Sequence, residues 1–422
     1  MLSERDNALI TRTGPGTPMG EYFRRFWLPA LVSSELPTTD CPPVRLKLLS
    51  ERLIAFRDTN GDIGVVSENC PHRGASLFFG RNEEEGLRCV YHGWKFDLAG
   101  NCVDMPSEPA ESNFRNKVRV TAYPTVERSG LVWLYMGPAD LKPDLPQYEW
   151  NMVPETHVRF SRRLQENNYL QGVEGGIDSS HVPFLHGQQW GAIPAPNNFS
   201  ARDKSPRLTM ERTEYGFVYG AERDGEADSH YWRITPFLLP FFTVIPGALE
   251  SDDGEKTYSG HGWVPMDDQN CWMVTYSWNP IRPLRDGEGH QAHNVVTDSR
   301  TLRPTLQNAE NDYGIDRDVQ RTTTFTGINN GSIQDAAIQE TMGSIFDRTL
   351  EHLGTTDTAI IQLRRFYLDG ARQILEGGEP FVPSDPAVYS KRSVSALLDR
   401  TLNFEESVKY FETREPGAAL MA

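Results

Sequence analysis

Apolar and polar positions along this chain recur with two different periods, and the change of period divides it into regions. Near the start, Thr17 can cap a helix with Pro18 at its first position. Tyr22, Phe23, Phe26 and Leu28 supply its apolar stripe, and Pro42-Pro43 stop it. From residue 44 the period shortens to two. Residues 44–48 alternate, while 53–56 and 63–66 flank Asn60-Gly61, a type I′ hairpin signal. Residues 94–96 and 102–103 flank Ala99-Gly100-Asn101 in the same way, and 118–123 and 131–135 complete a small all-β set. The proline-rich run 138–146 reads as a linker. Beyond it, 231–244, 258–264 and 271–278 read as long antiparallel strands rich in aromatics, fit for a sheet core or for a pocket wall. Residues 281–305 lack periodicity and read as a long loop of the lid type. Residues 355–375 place Ile360, Leu363, Tyr367, Ala371 and Ile374 on one helical stripe, ended by Gly377-Gly378.

These patterns predict an N-terminal arm and helix over 1–43, a small all-β domain with its linker over 44–155, and a larger domain over 156–422. A chain of 422 residues is long enough for two or three such cores. The formal net charge of -16, with no basic stripe, argues against nucleic acid and suits a partner with a basic docking face. Of five cysteines, Cys41, Cys102 and Cys271 have no framework spacing, which points to reduced thiols and a cytoplasmic home. The charged start carries no signal peptide, and no stretch is apolar enough to span a membrane.

Two constellations carry chemistry. Cys70-Pro71-His72-Arg73-Gly74 and Cys89-Val90-Tyr91-His92-Gly93-Trp94 offer two thiolates and two imidazoles as C-x-H and C-x2-H. Such a set suits a tetrahedral zinc or a [2Fe–2S] cluster whose irons take two Cys and two His respectively. Gly74 and Gly93 favour the cluster by allowing close backbone approach, Pro71 stiffens the first loop, and Trp94 can shield it from water. The second constellation runs from Asp178 through His181 to His186, downstream of Glu174. Two imidazoles and a carboxylate form the facial triad of non-haem Fe(II) oxygenases. Asp335, Glu340 and Asp347 are the candidate carboxylates, and spacing does not decide among them.

Taken together, the chain resembles the Rieske non-haem iron ring-hydroxylating oxygenases of the phthalate 4,5-dioxygenase type. The likeness rests on Gly16-Thr17-Pro18-Met19-Gly20, both Cys/His loops, Asp178-x2-His181-x4-His186, Asp335-x4-Glu340, Met342-Gly343, Asp347-Arg348-Thr349 and His352-Leu353-Gly354. It implies an α+β chain: an all-β Rieske domain with Cys70, His72, Cys89 and His92 on the [2Fe–2S] cluster, followed by a helix-grip (START-like) antiparallel-sheet catalytic domain. It implies His181, His186 and Asp335 as Fe(II) ligands, and Asp178 as a bridge from His181 to His92 of the partner subunit. A homotrimer or hexamer follows from that bridge. Members acting on phthalate also resemble the chain at Pro206-Arg207 and Tyr231-Trp232-Arg233-Ile234, which implies Arg207 and Arg233 as carboxylate anchors. The residues after Arg233 (Pro236, Phe237, Leu238, Leu239) depart from the phthalate pattern. The expected activity is O2-dependent dihydroxylation of an aromatic acid, with electrons from NADH through a separate reductase, since no Gly-rich nucleotide fingerprint is present. O-demethylation of a methoxylated acid is the alternative within the family, and a non-enzymatic electron carrier a more distant one.

Overall fold

In the computed structural model, which describes every residue except 110, 189–191, 196, 227, 248, 250–254 and 413–422, Thr17 caps the Pro18–Arg24 helix. Its Oγ1 accepts the Gly20 N–H at 3.2 Å. The helix ends well before Pro42, because Leu28 belongs to a strand, β1 (Trp27–Val32), which is almost wholly buried. Ten further short strands follow: β2 (Val44–Leu48), β3 (Glu51–Arg57), β4 (Ile63–Ser67), β5 (Arg81–Glu83), β6 (Gly86–Arg88), β7 (Lys95–Phe96), β8 (Cys102–Asp104), β9 (Ala122–Tyr123), β10 (Thr125–Arg128) and β11 (Leu131–Tyr135). They form three antiparallel sheets, ordered β1-β11-β10, β2-β3-β4-β9 and β5-β6-β7-β8. The β3–β4 turn is longer than a type I′ turn. Arg57 pairs with Ile63, and Asp58 Oδ1 organises the loop by accepting the N–H groups of Asn60 and Asp62 at 2.9 and 3.0 Å.

The chain divides into two compact units. One, Arg12–Leu145 with Pro265–Asp268, holds these three sheets; the other comprises Met1–Thr11, Pro146–Val264 and Gln269–Ala422. The residues of the N-terminal arm are therefore shared between them.

The second unit is built on one antiparallel sheet. Its strands are β12 (Val158–Gln165), β13 (Arg207–Thr213), β14 (Gly216–Asp224), β15 (Ser229–Leu238), β16 (Phe242–Ile245), β17 (Tyr258–Pro265), β18 (Cys271–Trp278) and β19 (Val394–Asp399). Their order is β12-β18-β17-β16-β15-β14-β13, with β19 added on β15. The single strand predicted over 231–244 is thus two. The chain turns at Leu239-Pro240, where proline has no N–H to give a ladder, and Thr243 returns to pair with Phe237. The Thr358–Leu375 helix buries Leu363, Tyr367 and Ala371, and the Tyr367 hydroxyl donates to the Pro240 carbonyl at 2.7 Å. The class is α+β, as expected.

Candidate functional site

In the first unit, the two Cys/His loops have the same construction. The N–H of Cys70 donates to the Ala75 carbonyl and that of Gly74 to the Cys70 carbonyl, at 2.8 and 2.9 Å. Cys89 and Gly93 repeat this at 2.8 and 3.0 Å. Each loop closes on a glycine with positive φ, +77° at Gly74 and +78° at Gly93, which a side chain would strain. The thiols are buried, while Tyr91 beside them is 55% exposed. The His72 and His92 rings lie 4.4 Å apart, and Trp94 stacks on His72 at 4.3 Å. Three features fit a [2Fe–2S] cluster that Cys70, Cys89, His72 and His92 would hold. His72 Nδ1 is buried without a hydrogen-bond partner among the described residues. Burial pushes the Cys70 thiol up to about 11, with Cys89 beside it, so a thiolate there needs a metal's charge. Burial, then His72, holds the His92 ring below its usual pKa, in the neutral form that ligates.

In the second unit, the Tyr169–Gly176 helix delivers the other constellation. Asn168 caps it, accepting the Leu170 N–H at 3.1 Å. Small residues let it lie close against the sheet: a Cβ on Gly172 would meet the Trp263 indole at 2.1 Å and one on Gly176 at 2.6 Å. Glu174 fastens the helix on its other side. Its carboxylate accepts from Arg348 at 2.9 Å and Arg364 at 2.6 Å, Arg364 pairs in turn with Glu351, and both guanidiniums are buried. Past the helix, Asp178 Oδ1 accepts the Ser180 N–H at 2.6 Å. One helical turn, Val182–Leu185, then separates His181 from His186.

The third group comes from the Gly331–Thr341 helix. His181 Nε2 and His186 Nε2 are 3.2 Å apart, and Asp335 Oδ1 lies 3.7 and 3.4 Å from them. Glu340 instead accepts from the Tyr313 hydroxyl at 2.5 Å, and Asp347 caps Thr349. Of the three candidate carboxylates, the structure brings only Asp335 to the imidazoles. Gln334 Oε1 accepts from His186 Nδ1 at 2.7 Å, and its amide nitrogen donates to the Ile328 carbonyl, which fixes its orientation. With the proton on Nδ1, His186 presents a bare Nε2. Asp178 Oδ2, 3.4 Å from His181 Nδ1, does the same for the other ring. Two lone pairs and a carboxylate oxygen so close repel unless a cation joins them, and this donor set fits mononuclear Fe(II).

The triad opens into a cavity of about 150 Å³, also lined by Tyr219, Arg233, His261, Trp263 and His290. A cavity of that order holds a single aromatic ring. Among the described residues no carboxylate pairs with Arg233; although burial opposes it, the Arg233 charge holds the Tyr231 hydroxyl below its usual pKa. His290 Nδ1 accepts the Ala292 N–H at 3.1 Å, and burial pulls its pKa down to about 4, so it offers a neutral Nε2–H donor. Arg207 is elsewhere. It is half exposed on the edge strand β13 and paired with Glu222 and Asp224 at 3.2 and 3.3 Å, and it does not line the cavity. Its expected role as a substrate anchor is therefore corrected. The cross-strand partner Glu222 neutralises it from the neighbouring strand. Gln334, His261 and His290 carry no motif that marks them in the sequence.

Residues 26–124 match the Rieske [2Fe-2S] domain family, and residues 134–418 match the family described as LigXa C-terminal domain like. The 3-chlorobenzoate-3,4-dioxygenase oxygenase subunit of Comamonas testosteroni is 38% identical, over 99% of this chain and 99% of that one. The chain belongs to the Rieske ring-hydroxylating oxygenases. This Rieske oxygenase subunit is also 38% identical to the phthalate 4,5-dioxygenase oxygenase subunit of Pseudomonas putida, with 96% and 94% of the two chains covered. A tert-butanol monooxygenase / tert-amyl alcohol desaturase oxygenase subunit of Aquincola tertiaricarbonis is 46% identical over 67% of this chain and 61% of its own. Among solved structures, Pseudomonas putida CBB5 NdmA (QL mutant, with caffeine) shares the fold at 20% identity, TM-score 0.61, covering 84% of this chain and 93% of that one. The protein is an oxygenase subunit carrying a Rieske [2Fe–2S] cluster and a mononuclear iron. Among the described residues no helix is long and apolar enough to cross a membrane.

Proposed function

We propose that this subunit dihydroxylates an aromatic carboxylate, with Fe(II) on His181, His186 and Asp335 and the cluster on Cys70, His72, Cys89 and His92. One observation carries the substrate class: Arg233, free of any carboxylate partner among the described residues, lines the same cavity as the triad. A guanidinium there offers a forked pair of donors to a substrate carboxylate. When bound, the cluster supplies single electrons and the iron supplies the place where O2 is activated. The protein's own task is positioning. Gln334 and Asp178 fix the tautomers of the two imidazoles, Arg233 sets the acid's orientation, and Trp263 and Tyr219 wall the ring from water.

Asp178 is the bridge in this reading, joining His181 to His92 of the partner subunit within a ring of three, or two such rings stacked. Its burial opposes a charge, yet the His181 bond keeps its carboxyl below the usual range, so it stays an acceptor. Electrons reach the cluster from NADH through a separate reductase, whose docking face complements an acidic protein of net charge -16. Five buried cysteines, none of them in a disulfide, fit a cytoplasmic setting.

The test is O2 uptake by the reduced protein with a reductase and a panel of benzoates, phthalates, methoxybenzoates and their neutral amides. Uptake coupled to product is expected with the acids alone. A cis-diol marks dihydroxylation; formaldehyde with a phenol marks O-demethylation. Arg233→Met should raise KM for the acids by roughly 10–100-fold, the worth of a charge-assisted pair, and Arg207→Ala should leave it unchanged. Equal turnover of acids and amides would remove Arg233 from the substrate site.

A further inference from the structure

Arg223 is a buried cation that nothing in the site described so far uses. It stands on β14 with 0% exposure, and among the described residues no carboxylate pairs with it. All its bonds go to neutral acceptors. Nε donates to the Asp203 carbonyl at 3.0 Å, and Nη2 donates to the Ser179 carbonyl at 2.8 Å and the Ser179 hydroxyl at 3.2 Å. Nη1 has no partner among the described residues. The Asp203 carboxylate is turned to the N–H groups of Ser205 and Asp224. Buried charges are ordinarily paired, so one left uncompensated responds to any charge placed near it.

Strand register relates Arg223 to Arg233. Arg223 pairs with Tyr231 and Arg233 with Ala221, so the two guanidiniums are diagonal neighbours on one sheet face. Tyr219 shares that face and lines the cavity together with Arg233 and Ser179. Burial first, and Arg233 second, pull the pKa of Arg223 down to about 10. Ser179, which Arg223 holds twice, directly follows Asp178.

We propose that Arg223 is a positioning residue that couples the carboxylate subsite to Asp178. Repulsion from Arg233 loosens its grip on Ser179, and a substrate carboxylate on Arg233 removes that repulsion and fastens the 178–180 turn. The inference rests on the reading of Arg233 as the carboxylate anchor, and it makes the bridge sensitive to whether an acid is bound.

The test is hydrogen–deuterium exchange of the full chain without its mononuclear iron, read at the Ser180 amide, with benzoate or benzamide as probe. Benzoate should slow exchange by about tenfold, as one strengthened charge-assisted bond would, and benzamide should not. Arg223→Met should bind benzoate within a few-fold of the parent in calorimetry yet gain no protection. A role confined to folding would instead raise exchange equally with and without benzoate. Arg223→Lys keeps the charge but loses the fork, and it should lose most of the gain; it decides the matter where the Met variant does not fold. Parent-like protection in Arg223→Met or Arg223→Lys, or equal protection by benzamide, overturns the coupling. Failure of benzoate to bind the parent, or undiminished binding to Arg233→Met, would instead overturn the anchor itself.

Discussion

The two metal-binding regions solve the same problem, holding four or three ligand atoms in place, by opposite means. The Cys/His loops are self-contained: each closes on its own backbone hydrogen bonds and turns on its own glycine, and both thiols lie within 20 residues of one another in the chain. The triad is assembled from a distance. His181 and His186 flank one helical turn, Asp335 comes from a helix some 150 residues later, and a buried cluster of Glu174, Arg348, Arg364 and Glu351 steadies the helix before them. Loops of the first kind tolerate change in the rest of the fold, whereas a site of the second kind is only as firm as the packing behind it.

That contrast can be broken most sharply at Glu174. Glu174→Gln leaves the buried Arg348 without its counter-ion and Arg364 with Glu351 alone, and should destabilise the second unit by about 3–5 kcal/mol, while the cluster's visible spectrum stays normal. Equal loss of both would refute the separation. Burial opposes the Glu174 charge, but Arg348 and Arg364 hold its carboxyl below its ordinary value of 4.5. Its folded pKa is depressed, so the stabilisation is complete above that ordinary value and is lost as pH falls through the folded pKa. Calorimetric melting on acidification should show a steeper fall for the parent than for Glu174→Gln.

A smaller effect is expected at Gln334. Gln334→Leu removes the acceptor that sets the His186 tautomer and should weaken iron binding by roughly 10–100-fold, without touching the cluster; competition with a chelator measures it. Unchanged affinity would mean that packing alone orients the ring. Smallest is Gly74→Ala. Nothing lies within 4 Å of the added methyl, so only the positive φ is strained, at about 1–2 kcal/mol. Its melting temperature should fall slightly, with iron occupancy of the triad intact.

The same contrast governs what was legible in the sequence. The cluster loops could be read because all four ligands and both glycines sit in two short words. His181 and His186 could be nominated, but the choice among Asp335, Glu340 and Asp347 depended on which side of one helix faces the imidazoles. The resemblance named Asp335, and the geometry brings that carboxylate alone within reach. Arg207 was misread because its neutralising partner, Glu222, is its neighbour only through strand pairing, which local pattern does not contain. Leu28 and the 231–244 run failed for a related reason: pairing of β1 with β11, and the turn at Pro240, override the periodicity on which each was read. Gln334 and Arg223 bond to His186 and Ser179, which lie far from them in sequence, and leave no spacing to find.

Iron and acid-labile sulfide, counted per chain in the purified parent and in Asp335→Ala, test the two-centre assignment most directly. The parent should hold about three iron atoms and two sulfides per chain. Asp335→Ala should fall to about two irons with sulfide and the visible spectrum unchanged. Full iron in Asp335→Ala, or loss of sulfide together with the third iron, would contradict the assignment of an independent iron to His181, His186 and Asp335.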